Sequence, residues 1–174
     1  MRNVTMARSV LFVVAVVLLL SALPMAASAQ GNGPYQFYSL TPCRVADTRK
    51  PVSNPAPPTG GPILAEGTTR NFPIQGLCGV PAGAKAVALN VTVVGPNGNG
   101  YLKLYPVGIA QPPVSTINFN AGEPALANGA LVPLGPSDGS GCPSACPADL
   151  AVYAKVAVAG GTVHMVVDVT GFFQ

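Results

Sequence analysis

After about thirty residues, hydrophobic and polar positions alternate along the chain with a period of two. In AKAVALNVTVV, every second residue from Val87 to Val93 is a valine or leucine, and alanine, asparagine and threonine lie between them. This alternation is typical of a β-strand with one packed face. The same pattern recurs in YQFYSL, RNFPIQG, GYLKLYP, VSTINFN, DLAVYAKVAVA and TVHMVVDVTGFF. The pattern predicts an all-β fold, an antiparallel β-sandwich (jelly-roll-like or Greek-key) of about eight or nine strands.

Glycine, asparagine and proline mark the predicted turns. GPNGNG predicts a hairpin between the strands AKAVALNVTVV and GYLKLYP, and Gly160-Gly161 predicts a final hairpin. Asn128-Gly129 interrupts ALANGALVPL and predicts a bulge or a tight corner. Pro73 places its strand at a sheet edge. The segment KPVSNPAPPTGGP is predicted to be an irregular loop.

The N-terminus has the features of a cleaved signal peptide. Arg2 and Arg8 precede the apolar run VLFVVAVVLLL, and Ala27-Ser28-Ala29 fits the small-residue pattern before a cleavage site. The run is shorter than the roughly 20 apolar residues of a spanning helix. We therefore expect residues 1–29 to be a removed signal helix and residues 30–174 to be a single secreted domain. The mature protein is expected to be secreted, at the cell surface or periplasmic, without a membrane association.

Charge is scarce in this chain. Charged residues make up 9% of the sequence, against about 25% in typical soluble domains. The formal net charge is +3, and removal of Arg2 and Arg8 with the signal leaves +1. Since no basic patch remains, a nucleic-acid partner is not expected.

The four cysteines all lie in the predicted mature chain, which favours disulfides in an exported protein. Cys142 and Cys146 share one Gly/Pro/Ser-rich loop and are paired locally in our interpretation, which leaves Cys43 to pair with Cys78. A four-cysteine zinc site is the weaker alternative, because the chain has one histidine and the spacing is poor for zinc. We expect no metal and no cofactor.

Four sequence blocks together resemble a known module. They are TPCRVADTR, GLCGVPAGAKAVALNVTVVGPNGNGYLKLYPVG, PPVSTINFNAGEPALANGALVPL and HMVVDVTGFF. Their order resembles the β-rich module that recurs, singly or in tandem, in exported proteins of actinobacteria and acidobacteria. The resemblance covers essentially the whole mature chain. It implies a secreted β-sandwich-like module for which no catalytic residues are established, and it supplies no ligand.

The most charged short stretch is CRVADTRK, which contains Arg44, Asp47 and Arg49. On a regular strand Arg44 and Asp47 would face opposite ways, whereas Asp47 and Arg49 would share a face. A carboxylate beside guanidiniums suits bidentate hydrogen bonding. Our main interpretation is a structural clasp in which Asp47 ties this segment to a neighbouring strand or loop. The alternative is an anion or sugar site with the arginines as donors.

Other residues offer weaker candidates for function. Tyr101, Lys103 and Tyr105 alternate with leucines and form the best exposed candidate platform for a glycan. His164 and Asp168 share a strand face but are about 13–14 Å apart at strand rise, which argues against a catalytic pair. Asp138 and Asp149 flank a loop that could hold calcium.

We therefore expect a secreted, non-enzymatic β-sandwich module that acts in surface association or extracellular assembly. Its partners would be cell-surface or extracellular glycans or proteins. A carbohydrate-binding module is the first alternative, and a small secreted hydrolase is the less favoured one.

Overall fold

The computed structural model describes residues 34–52, 58–136 and 148–174. Within these ranges the chain forms nine strands and no helix, which confirms the all-β prediction. The strands are β1 (Phe37–Asp47), β2 (Leu64–Ala65), β3 (Thr69–Phe72), β4 (Ala86–Val94), β5 (Gly100–Pro106), β6 (Ile117–Phe119), β7 (Leu126–Pro133), β8 (Leu150–Val156) and β9 (Thr162–Phe173). The predicted signal peptide lies outside the described residues. The described part includes no helix long and apolar enough to cross a membrane.

The strands form two antiparallel sheets. The five-stranded sheet has the order β1-β9-β4-β7, with β2 also paired to β9, and the four-stranded sheet has the order β3-β8-β5-β6. The inward residues of both sheets form one hydrophobic cluster. The predicted alternation of β4 and β9 is confirmed, because Val91 and Val167 are fully buried and Asn90 and Asp168 are not.

The two predicted hairpins are both wrong. GPNGNG joins β4 to β5, and Gly160-Gly161 joins β8 to β9, yet each pair of strands belongs to different sheets. The two crossovers meet at one end of the sandwich, where Asn97 Oδ1 accepts a hydrogen bond from the Thr162 backbone N–H at 2.8 Å. Asparagine and glycine suit this connection because the asparagine side chain bonds the neighbouring crossover and a Cβ on Gly161 would lie 2.6 Å from Val156.

The predicted interruption at Asn128-Gly129 is also wrong. Strand β7 pairs with β4 residue by residue from Leu126 opposite Val93 to Pro133 opposite Ala86, without a shift of register. Strand β3, in contrast, lies at a sheet edge, as predicted, but it ends at Phe72, so Pro73 follows the strand instead of lying within it.

Strand β1 lies at the edge of the five-stranded sheet, and a short segment covers part of its open side. Its pairing with β9 shifts register between Ser39 and Cys43 and again between Arg44 and Ala46. The Asp47 backbone N–H donates to Thr59 O at 2.9 Å, and the Thr59 N–H donates to Val45 O at 2.8 Å. Residues 53–57 of the predicted irregular loop lie outside the described residues.

Candidate functional site

The clasp residues Arg44, Asp47 and Arg49 lie at the end of β1. Asp47 was predicted to tie this segment to a neighbouring strand or loop, but its side chain contacts Arg49 and Arg44 of the same segment, and Arg44 makes the link to β9. The Asp47 side chain is fully buried, and the Arg49 guanidinium binds both carboxylate oxygens through Nε and Nη2, each at 2.8 Å. The Arg49 backbone N–H adds a third bond at 3.2 Å. Both arginine side chains remain almost half exposed. A carboxylate that is fully buried and bound by an arginine is not open to a sugar hydroxyl in this conformation.

Arg44 links β1 to the adjacent strand β9. Its Nε lies 2.8 Å from Asp168 Oδ1 and its Nη2 lies 3.2 Å from Asp168 Oδ2. Arg44 Nη1 is also 3.6 Å from Asp47 Oδ2. The prediction that Arg44 and Asp47 face opposite ways is therefore wrong, because the register shift between Arg44 and Ala46 breaks the regular alternation.

Thr48, the residue that follows β1, is hydrogen-bonded to β9. Its backbone N–H donates to Met165 O at 2.9 Å, and its hydroxyl oxygen accepts from the Met165 N–H at 2.8 Å. The hydroxyl also lies 3.1 Å from His164 Nδ1. The single histidine thus contacts a buried threonine, and the carboxylate of Asp168 binds Arg44. Sequence reasoning did not identify Thr48 or Asp168 as partners of the clasp.

The electrostatics of Asp47 follow from its arginine partner. The side-chain bond from Arg49 lowers the pKa of Asp47 to about 2, and burial opposes this effect. The bond to Asp168 raises the pKa of Arg44. The carboxylate therefore stays ionised far below neutral pH, and removing either partner would leave a desolvated charge with fewer bonds.

A disulfide lies beside the clasp. Cys43 in β1 is bonded to Cys78 in the loop after β3, which confirms this predicted pairing. The bond connects the edge of one sheet to a loop next to the edge of the other. The predicted Cys142–Cys146 pair lies outside the described residues.

Asp149, immediately before β8, is a second buried carboxylate with a different environment. Its two oxygens accept hydrogen bonds from the backbone N–H groups of Ile74 at 3.0 Å and Gln75 at 2.8 Å. Burial raises the pKa of Asp149 to about 6, although these bonds act in the opposite direction. Both oxygens are occupied by the backbone, and Asp138, its suggested calcium partner, lies outside the described residues. Among the described residues, no three of His, Cys, Asp and Glu group closely enough to hold a metal.

The predicted platform of Tyr101, Lys103 and Tyr105 is less exposed than expected. Tyr105 is 8% exposed and Lys103 is 9% exposed. The Lys103 ammonium donates to Pro112 O at 2.7 Å, so the connection between β5 and β6 lies against this face. Sequence alternation placed these residues outward correctly but could not reveal that a loop covers them.

Tyr101 instead forms a pair with Tyr153 of the neighbouring strand β8. The ring centroids are 6.4 Å apart and the planes are tilted by 44°. The Lys103 ammonium lies 5.5 Å from the Tyr101 ring and 5.9 Å from the Tyr153 ring. Both tyrosines are partly exposed, so this pair is the accessible aromatic part of the predicted platform.

The outer face of the five-stranded sheet carries an apolar strip that sequence reasoning did not single out. Paired residues share a face, so the register between β1, β9, β4 and β7 defines two rows. The first row is Phe37, Phe173, Ala86 and Pro133, and the second is Ser39, Gly171, Ala88 and Leu131. Leu131 is 68% exposed and Phe37 is 52% exposed.

The fold and these surfaces show that this is an all-β protein of two packed antiparallel sheets, and they do not define a narrower class. Comparison with models of known families, with curated proteins and with solved structures finds no match for this chain. The resemblance to the module of exported bacterial proteins stays a prediction.

Proposed function

We propose that the protein is a secreted, non-enzymatic β-sandwich module that associates with cell-surface or extracellular molecules. Its location would be extracellular, at the cell surface or periplasmic, after removal of the signal peptide. The sheet orders β1-β9-β4-β7 and β3-β8-β5-β6 support a jelly-roll assignment of the sandwich. Because a fold does not by itself define a function, the proposal rests on the surface of the five-stranded sheet.

The apolar strip is the observation that carries the proposal. Exposed apolar side chains scattered singly are ordinary on a protein surface, whereas contiguous ones often mark contact sites. Here Leu131 and Phe37 lie on the two edge strands of one sheet, and only small or partly buried residues separate them. The strip borders the exposed Arg44 guanidinium. Aromatic residues and arginine next to apolar surface are enriched in protein interfaces.

The environments of four of the six acidic residues support a non-enzymatic role. Asp47 and Asp168 bind arginines, and Glu66 binds Lys155 and the Val156 backbone N–H. Asp149 binds two backbone N–H groups. General acid–base catalysis by a carboxylate requires reach to a substrate proton, and these four groups are engaged within the chain.

Binding of the purified mature protein to intact cells and cell envelopes of its source organism tests this proposal. Leu131→Ser should reduce binding, and Val114→Ser is the matched control because Val114 has the same exposure of 68%. Equal loss in both variants, or no binding by the wild type, would contradict the proposal. Turnover of a substrate that disappears on mutation of Asp168 or His164 would contradict the non-enzymatic assignment.

A carbohydrate-binding role is the second candidate, and the Tyr101–Tyr153 pair favours it. Partly exposed tyrosines offer apolar ring faces together with hydroxyl groups, and Lys155 lies directly across the strand pair from Tyr101. Tyr105 and Lys103 would support the pair rather than contact the glycan, since both are buried. A glycan array should then show binding that Tyr101→Ala removes. Tyr38→Ala is the control, because Tyr38 is 45% exposed on the other sheet, and an array without binding would exclude this candidate.

A further inference from the structure

Strand β7 is an edge strand without the usual protection of an edge. Within the described residues it pairs only with β4. It is eight residues long, regular in register and free of charged side chains. Natural edge strands are usually protected by charges, prolines, bulges or a covering segment. Of these devices β7 has one proline, Pro133, at its last position.

Gly129, in the middle of β7, has open space on its outward side among the residues that the structure describes. A Cβ at this position would meet no atom within 4 Å, and its φ is not in the left-handed region. Glycine in a strand interior weakens the strand and often marks the close approach of a ligand or another backbone. Gly129 lies in the outward row of Arg44, Asp168 and Asn90, so its missing side chain leaves space over the face of the sheet at the middle of the β7 edge.

We propose that the partner of β7 is the β7 strand of a second copy of this chain, paired antiparallel. This inference rests on the proposed function, because it specifies how the module assembles. Charge selects the partner: between Ile109 and Pro136 the sequence contains one charged residue, Glu123. A charged partner would find almost no opposite charges in this segment. A second copy brings an equally long uncharged strand, and the mature chain's formal net charge of +1 gives little repulsion between copies.

The geometry of such a pair predicts a closed dimer. A two-fold axis perpendicular to the sheet keeps the outward residues of both copies on one face, so the two apolar strips become continuous. At the other edge, the Val45–Asp47 part of β1 is covered by its hydrogen bonds with Thr59. Addition of another strand to that part of β1 is therefore blocked. Because a two-fold pair uses the β7 edge of both copies, association through β7 stops at two.

Sedimentation velocity of the disulfide-intact mature protein over a wide concentration range tests the proposal. The wild type should dimerise with rising concentration. Gly129 lies at the middle of β7, so a two-fold axis at the strand centre brings two lysines at this position close together, and Gly129→Lys should weaken dimerisation by roughly tenfold or more. Thr41→Lys is the matched control, since Thr41 is an exposed residue of the opposite edge strand β1 and lies outside the apolar strip. An equimolar mixture of Gly129→Lys and Gly129→Glu should recover the dimer.

A wild type that remains monomeric would overturn the proposal, as would a dimer that Gly129→Lys leaves unchanged or that Thr41→Lys disrupts equally. Failure to recover association in the mixture would exclude β7–β7 pairing. Binding of an extended peptide or a glycan by a monomer, abolished by Gly129→Lys, would assign the edge to another partner. Cell-envelope binding by a monomeric wild type would leave the proposed function standing and remove only the dimer.

Discussion

The two sides of the sandwich are built differently. On the side of β1 and β3, the clasp, the Cys43–Cys78 bond and Asp149 connect strands and loops of both sheets. Arg70 of β3 adds bonds to Gly60 O at 2.5 Å and Pro62 O at 2.8 Å. On the side of β6 and β7, Asn128 Nδ2 donates to Thr116 O at 2.8 Å beside an open cavity of about 290 Å³. We refer to these as the closed side and the open side.

The comparison shows where a charge-poor chain uses its few ions. Buried carboxylates require partners. Asp149 finds them in backbone groups after β3, whereas Asp47 finds them in arginines of its own segment. The Arg44–Asp168 pair then connects that segment to β9. The open side has one charged side chain, Glu123, between Ile109 and Pro136, and it is held by apolar contacts and neutral side-chain hydrogen bonds such as those of Asn128 and Asn118. The few charged side chains therefore stabilise the edge at β1. The edge at β7 has none, and it is the edge that we propose for association.

Loss of the Cys43–Cys78 bond should have the largest effect. Replacing both residues by serine should lower the free energy of unfolding by about 4 kcal/mol in the chain-entropy model, given the sequence separation of 35. Urea unfolding of the purified variant measures this loss. A loss no larger than that caused by Asn128→Ala would remove the distinction between the two sides.

Asp149 should give the closed side a pH dependence. Its folded pKa of about 6 exceeds the ordinary value of 3.8, so the folded state binds this proton more tightly than the unfolded state. Its contribution to stability is therefore full below about pH 4 and decreases as the pH rises to 6, by at most about 3 kcal/mol. Urea unfolding at several pH values should show this decline in the wild type and not in Asp149→Asn. Equal slopes in both proteins would refute the assignment.

Asp47 should act in the opposite direction. Because its folded pKa of about 2 lies below 3.8, its stabilisation is present above about pH 4 and is lost as the pH falls to 2. At neutral pH, Asp47→Ala should cost roughly 2 kcal/mol, reduced by solvent screening at the half-exposed arginines.

Asp168→Ala is the control for this substitution, because the Arg44–Asp168 pair is exposed and should contribute less than about 1 kcal/mol. Thermal unfolding of both variants at neutral and acid pH distinguishes them. Equal melting temperatures at neutral pH would mean that Asp47 has no special role in the closed side.

The smallest effect is expected on the open side. Asn128→Ala removes the bond to Thr116 O at an exposed position, and we expect a loss of about 0.5–1 kcal/mol. Urea unfolding in parallel with Asp47→Ala gives the comparison directly. A larger loss for Asn128→Ala than for Asp47→Ala would reverse the roles of the two sides.

The sequence predicted the strands better than their partners. Alternation in β4 and β9 identified their buried faces because a strand's two faces follow from a period of two. GPNGNG and Gly160-Gly161 were correctly placed as turns, but the same turn residues serve a hairpin and a crossover between sheets. Strand pairing depends on register across the whole domain, which no local pattern contains.

The candidate site shows the same division. The charge cluster and the Cys43–Cys78 pair were identified from residue type and cysteine count. Asp168 was not identified as the partner of Arg44, since 124 residues separate them and a register shift turns Arg44 toward Asp47. The burial of Lys103 depends on a loop that passes over it, so alternation alone could not predict it.

Hydrogen exchange of the dilute, monomeric protein tests most directly whether one side is closed and the other open. We expect the amides of Asp47, Thr48 and Thr59 to be strongly protected from exchange, and Asp47→Ala to reduce this protection. We expect the amides of β7 to exchange faster than these three, at a rate that Asp47→Ala does not change. Protection of β7 equal to or greater than that of the Asp47 segment would contradict this expectation.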